Sequence, residues 1–432
     1  MQVSVESTST LGRKMTVQIP PERIDPEIEK RLKSISGSVK LDGFRPGKVP
    51  LKVVKQRFGD QVMREVMGEV LQSSFREAVS QEKLRPAGGP DIDAKTMAAG
   101  EGLEYTATFE VYPEFTVADF AKIKVVRPVT EITDADVDKV LESLRKQRRT
   151  WEPVERPAKL EDQVVMDFSG RIGDEPFEGG AGEDFTLELG TKQLIPGFED
   201  QLVGVKAGEE RTLSLTFPDD YKPDHLAGKD ASFDVKVKTV SEGHLPALDE
   251  EFARAFGVQE GGVETLKAEI SGNMERELAE RIEQKVKQQA MDGLYELNKF
   301  DVPEALIARE IENAREQLHG SMGPSSDAPD LPDSLFEGQA RKRVSLGLII
   351  NEIVKQLGLS PDADKVRQRV DTIASTYGDP ARVAQYYQQD HDARGAVEAF
   401  VLEGQVVERV LQDAVVTDAE IEFDELMKAE TS

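Results

Sequence analysis

The stretch "QLIPGFEDQLVGVKAGEE", Gln193–Glu210, holds three glycines and one proline in eighteen residues, and among them sit Leu194, Ile195 and Phe198. Glycine and proline at this density mark turns. Short β-like runs lie around it: "QVVMDFSGRI" (163–172), "DFTLELG" (184–190), "ERTLSLTFP" (210–218) and "ASFDVKVKTV" (231–240). Turn signals separate them, so residues 151–245 are expected to form a compact, mostly-β domain. Its large apolar residues fall at the expected strand ends and loops: Phe168, Phe177, Phe185, Leu194, Ile195, Phe198, Tyr221 and Phe233. Taken one by one, each reads equally well as part of a small core or as the wall of a pocket.

The texture changes on both sides. After "GHLPALDEEF" the pattern from 247 to 427 is helical. Met274, Leu278, Ile282 and Val286 recur every four residues on one stripe of a long helix. Pro303 opens another helix, "SMGPSSDAPDLP" (321–332) reads as a loop, and further helices are expected near 333–357, 362–376, 380–389 and 392–414. Before the β-rich part, residues 113–150 form a connector. Its helix at 133–151 starts on acidic residues and ends on cations, complementing the helix dipole at both ends. Residues 1–112 alternate as strands over 1–20 and 103–113 and read as helix at 22–40 and 51–82, with Gly59 a break, Pro50 the first residue of the second helix and 85–93 a turn-rich stop. The fold class expected is multidomain α+β: an N-terminal α+β domain (1–112), the connector, a β-sheet domain (151–245) and an all-α region (246–432).

Composition bounds the chemistry. Length, at 432 residues, suggests roughly two to four domains. No cysteine is present, which excludes disulfides, thiolate chemistry and Cys-based metal sites. The four histidines, His225, His244, His319 and His391, are scattered, and none has zinc-binding helical spacing. "DADVDK" (134–139) resembles the start of a calcium loop, but Lys139 and Arg145 stand where such a loop needs Gly and Glu. There is no phosphate-binding loop, dinucleotide fingerprint or nucleophile elbow, so no cofactor is expected. The N-terminus is not a secretory signal, and the apolar run "VSLGLII" (344–350) is far too short to cross a bilayer. The expectation is a soluble cytoplasmic protein with no membrane partner.

Net charge is −27, but it is unevenly spread. Residues 1–110 sum to +1 and the rest to −28, while residues 30–64 alone sum to +8. An anionic partner fits that basic zone and nowhere else. Within it lies "GFRPGKVP" (43–50), whose glycines and prolines exclude a helix or a central strand. By composition alone, Phe44 either folds back into the core or is presented at a loop tip beside Arg45 and Lys48.

Two resemblances sharpen these readings. "DFSG", "PFEGG", "FTLELG", "IPGFEDQLVGVKAGEE", "FPDDY" and "ASFDVKV" follow one another in the order of the FKBP-type peptidyl-prolyl isomerases, over nearly all of 151–245. That resemblance implies a catalytic pocket lined by Phe168, Phe177, Glu178, Phe185, Leu194, Ile195, Phe198, Tyr221 and Phe233. Glu178 stands where the family usually has Asp, Phe198 where many members have Trp, and Phe168 where many have Tyr. A hydroxyl and an indole N–H are thereby absent. "GFRPGKVP" resembles the ribosome-binding signature of the bacterial trigger factors, matching at Gly43, Phe44, Arg45, Gly47 and Pro50, with Lys48 adding a cation. Pro46 stands where some members have a basic residue. The likeness continues through "MQVSVE", "TDADVD", "LRKQ", "LPALDEEFARAFG", "NMERELAERI" and "DVPEALI".

The trigger factor resemblance implies a ribosome-associated, ATP-independent chaperone that binds nascent chains and isomerises Xaa-Pro bonds. The partners implied are the ribosome large subunit near the nascent-chain exit, through a ribosomal protein and rRNA, and nascent or unfolded polypeptides. A homodimer off the ribosome is implied as well. Two rivals stay open on the sequence: a free cytoplasmic isomerase, and a binding-only chaperone with a vestigial pocket.

Overall fold

The computed structural model describes residues 1–39, 41, 44, 49–96, 102–173, 175–222, 225–322 and 331–428. The chain divides into two compact units, Met1–Arg127 with Gln284–Ala419, and Pro128–Glu283 with Glu420–Ser432. The class is multidomain α+β, as the sequence patterns predict.

The first unit begins with a hairpin, β1 (Gln2–Ser7) and β2 (Gly12–Ile19), followed by α1 (Pro21–Ser38) and α2 (Leu51–Gln81). β3 (Asp91–Thr96) and β4 (Leu103–Glu110) complete an antiparallel sheet in the order β1-β2-β4-β3. Met15, Val17 and Ile19 of β2 and Leu103, Tyr105 and Ala107 of β4 alternate inward onto the helices. α2 runs unbroken through Gly59. A mid-helix glycine costs only about 1 kcal/mol relative to alanine, and buried Val54 on one side and Val62, Val66 and Met67 on the other outweigh it. Pro50 precedes the helix as its cap rather than forming its first residue. Part of the stretch expected to be a turn-rich stop enters β3, which the sequence patterns did not indicate.

Beyond a 3-10 turn at Phe120–Lys122 comes β5 (Lys124–Val129), then α3 (Asp134–Gln147), β6 (Thr150–Pro153), β7 (Gln163–Ile172), β8 (Glu175–Glu188), α4 (Phe198–Leu202), β9 (Glu210–Thr216) and β10 (Asp230–His244). α3 starts on a capping box. The Asp136 carboxylate accepts hydrogen bonds from the Thr133 hydroxyl at 2.7 Å and from the Thr133 N–H at 3.1 Å. β10 pairs antiparallel with β7, β9 and β6, and β7 pairs with β8, giving a five-stranded sheet. Its buried side packs Val164, Met166, Leu187, Leu213, Val235 and Val237 around α4.

α5 (Glu250–Ala255) and the 36-residue α6 (Gly262–Leu297) follow. The stripe expected on α6 is real: Met274 and Leu278 are buried, and Ile282 and Val286 are half-buried. α7 (Glu304–Met322), α8 (Ser334–Leu357), α9 (Ala363–Ser375), α10 (Pro380–Gln389) and α11 (His391–Asp413) continue the helical region. The expected loop at 321–332 falls mostly outside the described residues. Asp side chains cap four of these helices: Asp249, Asp362, Asp379 and Asp390 each accept from backbone N–H groups of the first turn. α8 ends on Gly358 in the left-handed region, at φ 63°, where a side chain would be strained.

The helical pattern does not hold to 427. Val415–Glu420 is a strand, β11, hydrogen-bonded to β5, and a short α12 (Phe423–Met427) comes after it. The bidentate pair Arg127–Asp418 links the two strands.

Candidate active site

The apolar residues singled out in 151–245 converge, though mostly not from loops. Phe168 lies on β7, Phe177 and Phe185 on β8, and Phe233 on β10. Phe198 opens α4 directly after Gly197, whose φ of 86° only glycine adopts freely. Leu194 and Ile195 come from the β8–α4 loop, and Tyr221 from the β9–β10 loop.

Phe233 is the centre. Its ring lies 5.3 Å from that of Phe198, 5.9 Å from Phe177 and 6.5 Å from both Phe168 and Phe217. Phe168 meets Phe185 edge-on at 5.5 Å, and Phe217 meets Tyr221 at 4.8 Å. Edge-to-face contacts of this kind add roughly 0.5–1.5 kcal/mol each beyond the area buried. Burial sorts the rings into two levels. Phe198, Phe217 and Phe233 are buried, at 2%, 3% and 5% exposure. Phe168, Phe177, Phe185, Leu194, Ile195 and Tyr221 are half-buried against them. The result is a closed aromatic floor bordered by half-buried apolar side chains, termed the aromatic bowl.

Two residues of this arrangement were not singled out in the sequence. Phe217 sits in the quoted "FPDDY" and bridges Phe177, Tyr221 and Phe233. Glu199 is buried beside Phe198. Its carboxylate accepts from the N–H groups of Gly190 at 2.7 Å, Lys192 at 2.9 Å and Gln193 at 2.8 Å. Burial by itself pushes this carboxyl up, but the N–H groups of Lys192, Gly190, Gln193 and Leu194 outweigh it and hold the group below the usual range. Those bonds fix the loop that carries Leu194 and Ile195, and hold Lys192 in the left-handed region at φ 56°.

Glu178 does not join the rings. It is exposed on β8 next to Phe177, at an irregularity of the β7–β8 ladder where residues 177–180 have no strand partner. It makes no hydrogen bond or ion pair among the described residues. Among the described residues, the side chains that line the bowl are hydrocarbon apart from the Tyr221 hydroxyl, so they include no general acid–base pair. No group of His, Asp or Glu among the described residues is arranged to hold a metal ion, and no helix among them is long and apolar enough to cross a membrane.

In the other unit, Gly43, Arg45, Gly47 and Lys48 lie outside the described residues, as does Pro46. Phe44 is exposed rather than folded into the core. Val49 is buried, its carbonyl accepts from the Ser36 hydroxyl at 2.7 Å, and Pro50 caps α2.

Three family models match this chain. The bacterial trigger factor protein model matches residues 1–144, its C-terminus model residues 262–412, and the FKBP-type peptidyl-prolyl cis-trans isomerase model residues 154–238. The trigger factor of Thioalkalivibrio sulfidiphilus is 49% identical over 427 residues, covering 99% of this chain and 98% of that protein. The chain belongs to the bacterial trigger factor family. The trigger factor of Stutzerimonas stutzeri is likewise 49% identical, over 428 residues, with 99% and 98% covered. A solved structure of the trigger factor chaperone aligns over 95% of this chain and 99% of its own, at 18% identity and a TM-score of 0.49. As a family member, this protein is a chaperone with FKBP-type peptidyl-prolyl isomerase activity.

Proposed function

We propose that the aromatic bowl is where the isomerase acts, with Phe168, Phe177, Phe185, Leu194, Ile195, Phe198, Tyr221 and Phe233 as its lining and Phe217 as a further floor residue. The observation that carries this reading is the two-level burial: three sealed rings bordered by half-buried apolar side chains. Rotation about a peptide bond has a barrier of ~18–20 kcal/mol because amide resonance is lost on the way. The twisted amide is less polar than the planar one. A dry apolar bowl therefore disfavours the planar ground state relative to the twisted state, and needs no proton or covalent step. Glu178 has no part in this scheme.

In this reading the chain divides as 1–112, 113–150, 151–245 and 246–432. The loop at 43–50 docks a cytoplasmic protein on the ribosome large subunit near the nascent-chain exit. Phe44 enters an apolar pocket while Arg45 and Lys48 pair with carboxylates or RNA phosphates. The exposure of Phe44 and the +8 charge of residues 30–64 support this docking. The helical region holds nascent or unfolded chains without nucleotide, and copies free of the ribosome associate as dimers.

Phe198 is the test of the pocket. Alanine at so buried a ring costs about 3–5 kcal/mol and risks unfolding, so leucine is the cleaner change. Phe198→Leu is expected to lower kcat/KM for a Xaa-Pro peptide at least tenfold while ribosome co-sedimentation stays intact. Full turnover in the folded variant would place the site elsewhere.

A further inference from the structure

The bowl depends on three positions that have no side chain at all. In the sheet ladder Phe168 stands opposite Gly182, and Phe233 stands opposite Gly170. A Cβ on Gly182 would lie 2.8 Å from Cε1 of Phe168 and 3.0 Å from its Cζ. One on Gly170 would lie 2.6 Å from Cε1 of Phe233 and 2.9 Å from Cζ of Phe177. One on Gly180 would lie 2.8 Å from Cζ of Phe177. Carbon atoms pack at about 3.5–4.0 Å, so each methyl would force its ring to move. None of the three glycines has a positive φ, so the backbone itself accepts alanine. At Gly170 and Gly182 the conflict is with ring atoms alone, while at Gly180 the Phe177 carbonyl oxygen also lies 3.0 Å from the added Cβ.

Where the rings would go is also constrained. Phe168 is walled by Phe185, Phe198 and Phe233 at 5.5, 6.2 and 6.5 Å. Phe233 is buried and touches four rings, those of Phe168, Phe177, Phe198 and Phe217. Phe168 and Phe177 are half-buried, so a displaced ring has solvent-exposed space to move into.

We propose that Gly170, Gly180 and Gly182 are positioning residues of the isomerase site: lacking a Cβ, they let Phe233, Phe177 and Phe168 lie flat against the sheet, and so set the depth available to the prolyl ring. This rests on the bowl being the isomerase site. An aromatic ring folded over a cross-strand glycine is a known way to stabilise such a glycine. Here the same packing keeps the space above the ring free.

The test is a double-substitution cycle in the full-length protein, read by Xaa-Pro peptide turnover. Gly182→Ala is expected to lower kcat/KM at least tenfold, mainly through KM. In a Phe168→Leu background, where the clashing ring edge is gone, adding Gly182→Ala is expected to change kcat/KM less than twofold. An equal loss in both backgrounds, or no loss in the folded single variant, overturns the proposal. If Gly182→Ala fails to fold, Phe168→Leu must restore the fold, and an unfolded double variant overturns it too. Aromatic NMR of the Phe168 ring separates this proposal from the reading beneath it. A ring that does not move overturns the positioning role alone. A ring that moves with turnover unchanged overturns the bowl as the isomerase site, and the proposal with it.

Discussion

The sheet of 163–244 and the helices of 284–413 bury their apolar residues in opposite ways. The sheet has one continuous core topped by half-buried rings. The helices split theirs into three small clusters, around Ala290 and Ile349, around Ile307 and Ala340, and around Val366 and Val401. They also leave Leu335, Tyr377, Tyr386 and Phe400 between 47% and 64% exposed. A cleft of about 520 Å³ opens among α9, α10 and α11, with Val366, Val370 and Tyr387 beside the charged Arg367, Asp371, Arg394 and Glu398. A single dense core fixes rings to fractions of an ångström, which suits a reaction needing one geometry. On the proposed reading, dispersed clusters with separately exposed apolar side chains suit the holding of chains of no fixed sequence, for which no single geometry is required. On that reading, the difference teaches that one chain divides a shape-specific task from a shape-tolerant one.

The harshest way to break this comparison is to remove one side of it. Thr150 and His244 are partners in the β6–β10 ladder, so excising 151–245 leaves ends that a short flexible linker rejoins. The shortened protein is expected to lose proline turnover entirely and to keep at least part of its suppression of client aggregation, followed by light scattering. Deleting 247–432 should do the reverse. A folded, ribosome-binding protein lacking 151–245 that holds no client at all would remove the helices from the account.

A smaller effect is expected at Glu199. Its folded-state carboxyl lies below the unfolded value, so its contribution to stability is present above the unfolded pKa of about 4.3 and is lost as pH falls through the lower folded value. Glu199→Gln removes charge-assisted acceptors and should cost about 1–3 kcal/mol at neutral pH. It should also flatten the fall of the sheet domain's Tm on acidification below that pKa. Thermal scans from pH 3 to 7 check both. An unchanged acid slope would mean the loop bonds contribute nothing.

The smallest effect sharpens the contrast between the two glycine environments. Cβ atoms at Gly347 and Gly404, inside α8 and α11, would meet nothing within 4 Å. Alanine there is expected to raise stability by about 0.4–1 kcal/mol per site, without changing proline turnover. Denaturant unfolding beside the peptide assay reads the two outcomes together.

Much of this was legible in the sequence, and the misses have physical causes. The starts of α9, α10 and α11 lie within one residue of those expected at 362, 380 and 392, and Asp362, Asp379 and Asp390 cap them. The rings were readable because large apolar residues recur among turn signals in one family's order. β11 was missed because "VVTDAE" is exposed nearly throughout and continues a helix, so no alternation marks it. Gly59 misled because local propensity is outweighed by the valines either side. The sequence pattern puts Phe168, Phe177, Phe185 and Phe233 at strand ends and loops, whereas they lie within β7, β8 and β10. The bulges in β7 and β8 let them lie within strands and still face one bowl. Nothing in the sequence marks Glu199, since nothing local indicates that three N–H groups turn back to it. The glycines beneath the rings were unreadable, because a residue with no side chain declares its role only through what would strike it.

The division of labour itself is tested most directly by competition in the intact protein. Cis/trans exchange of a Xaa-Pro peptide is followed by NMR while a permanently unfolded, proline-free client is titrated in. If helices hold the client and the bowl turns over proline, the exchange rate stays within twofold at client concentrations that saturate holding. If exchange falls to the uncatalysed rate as the client binds, the two tasks share one surface, and the separation drawn between sheet and helices is wrong.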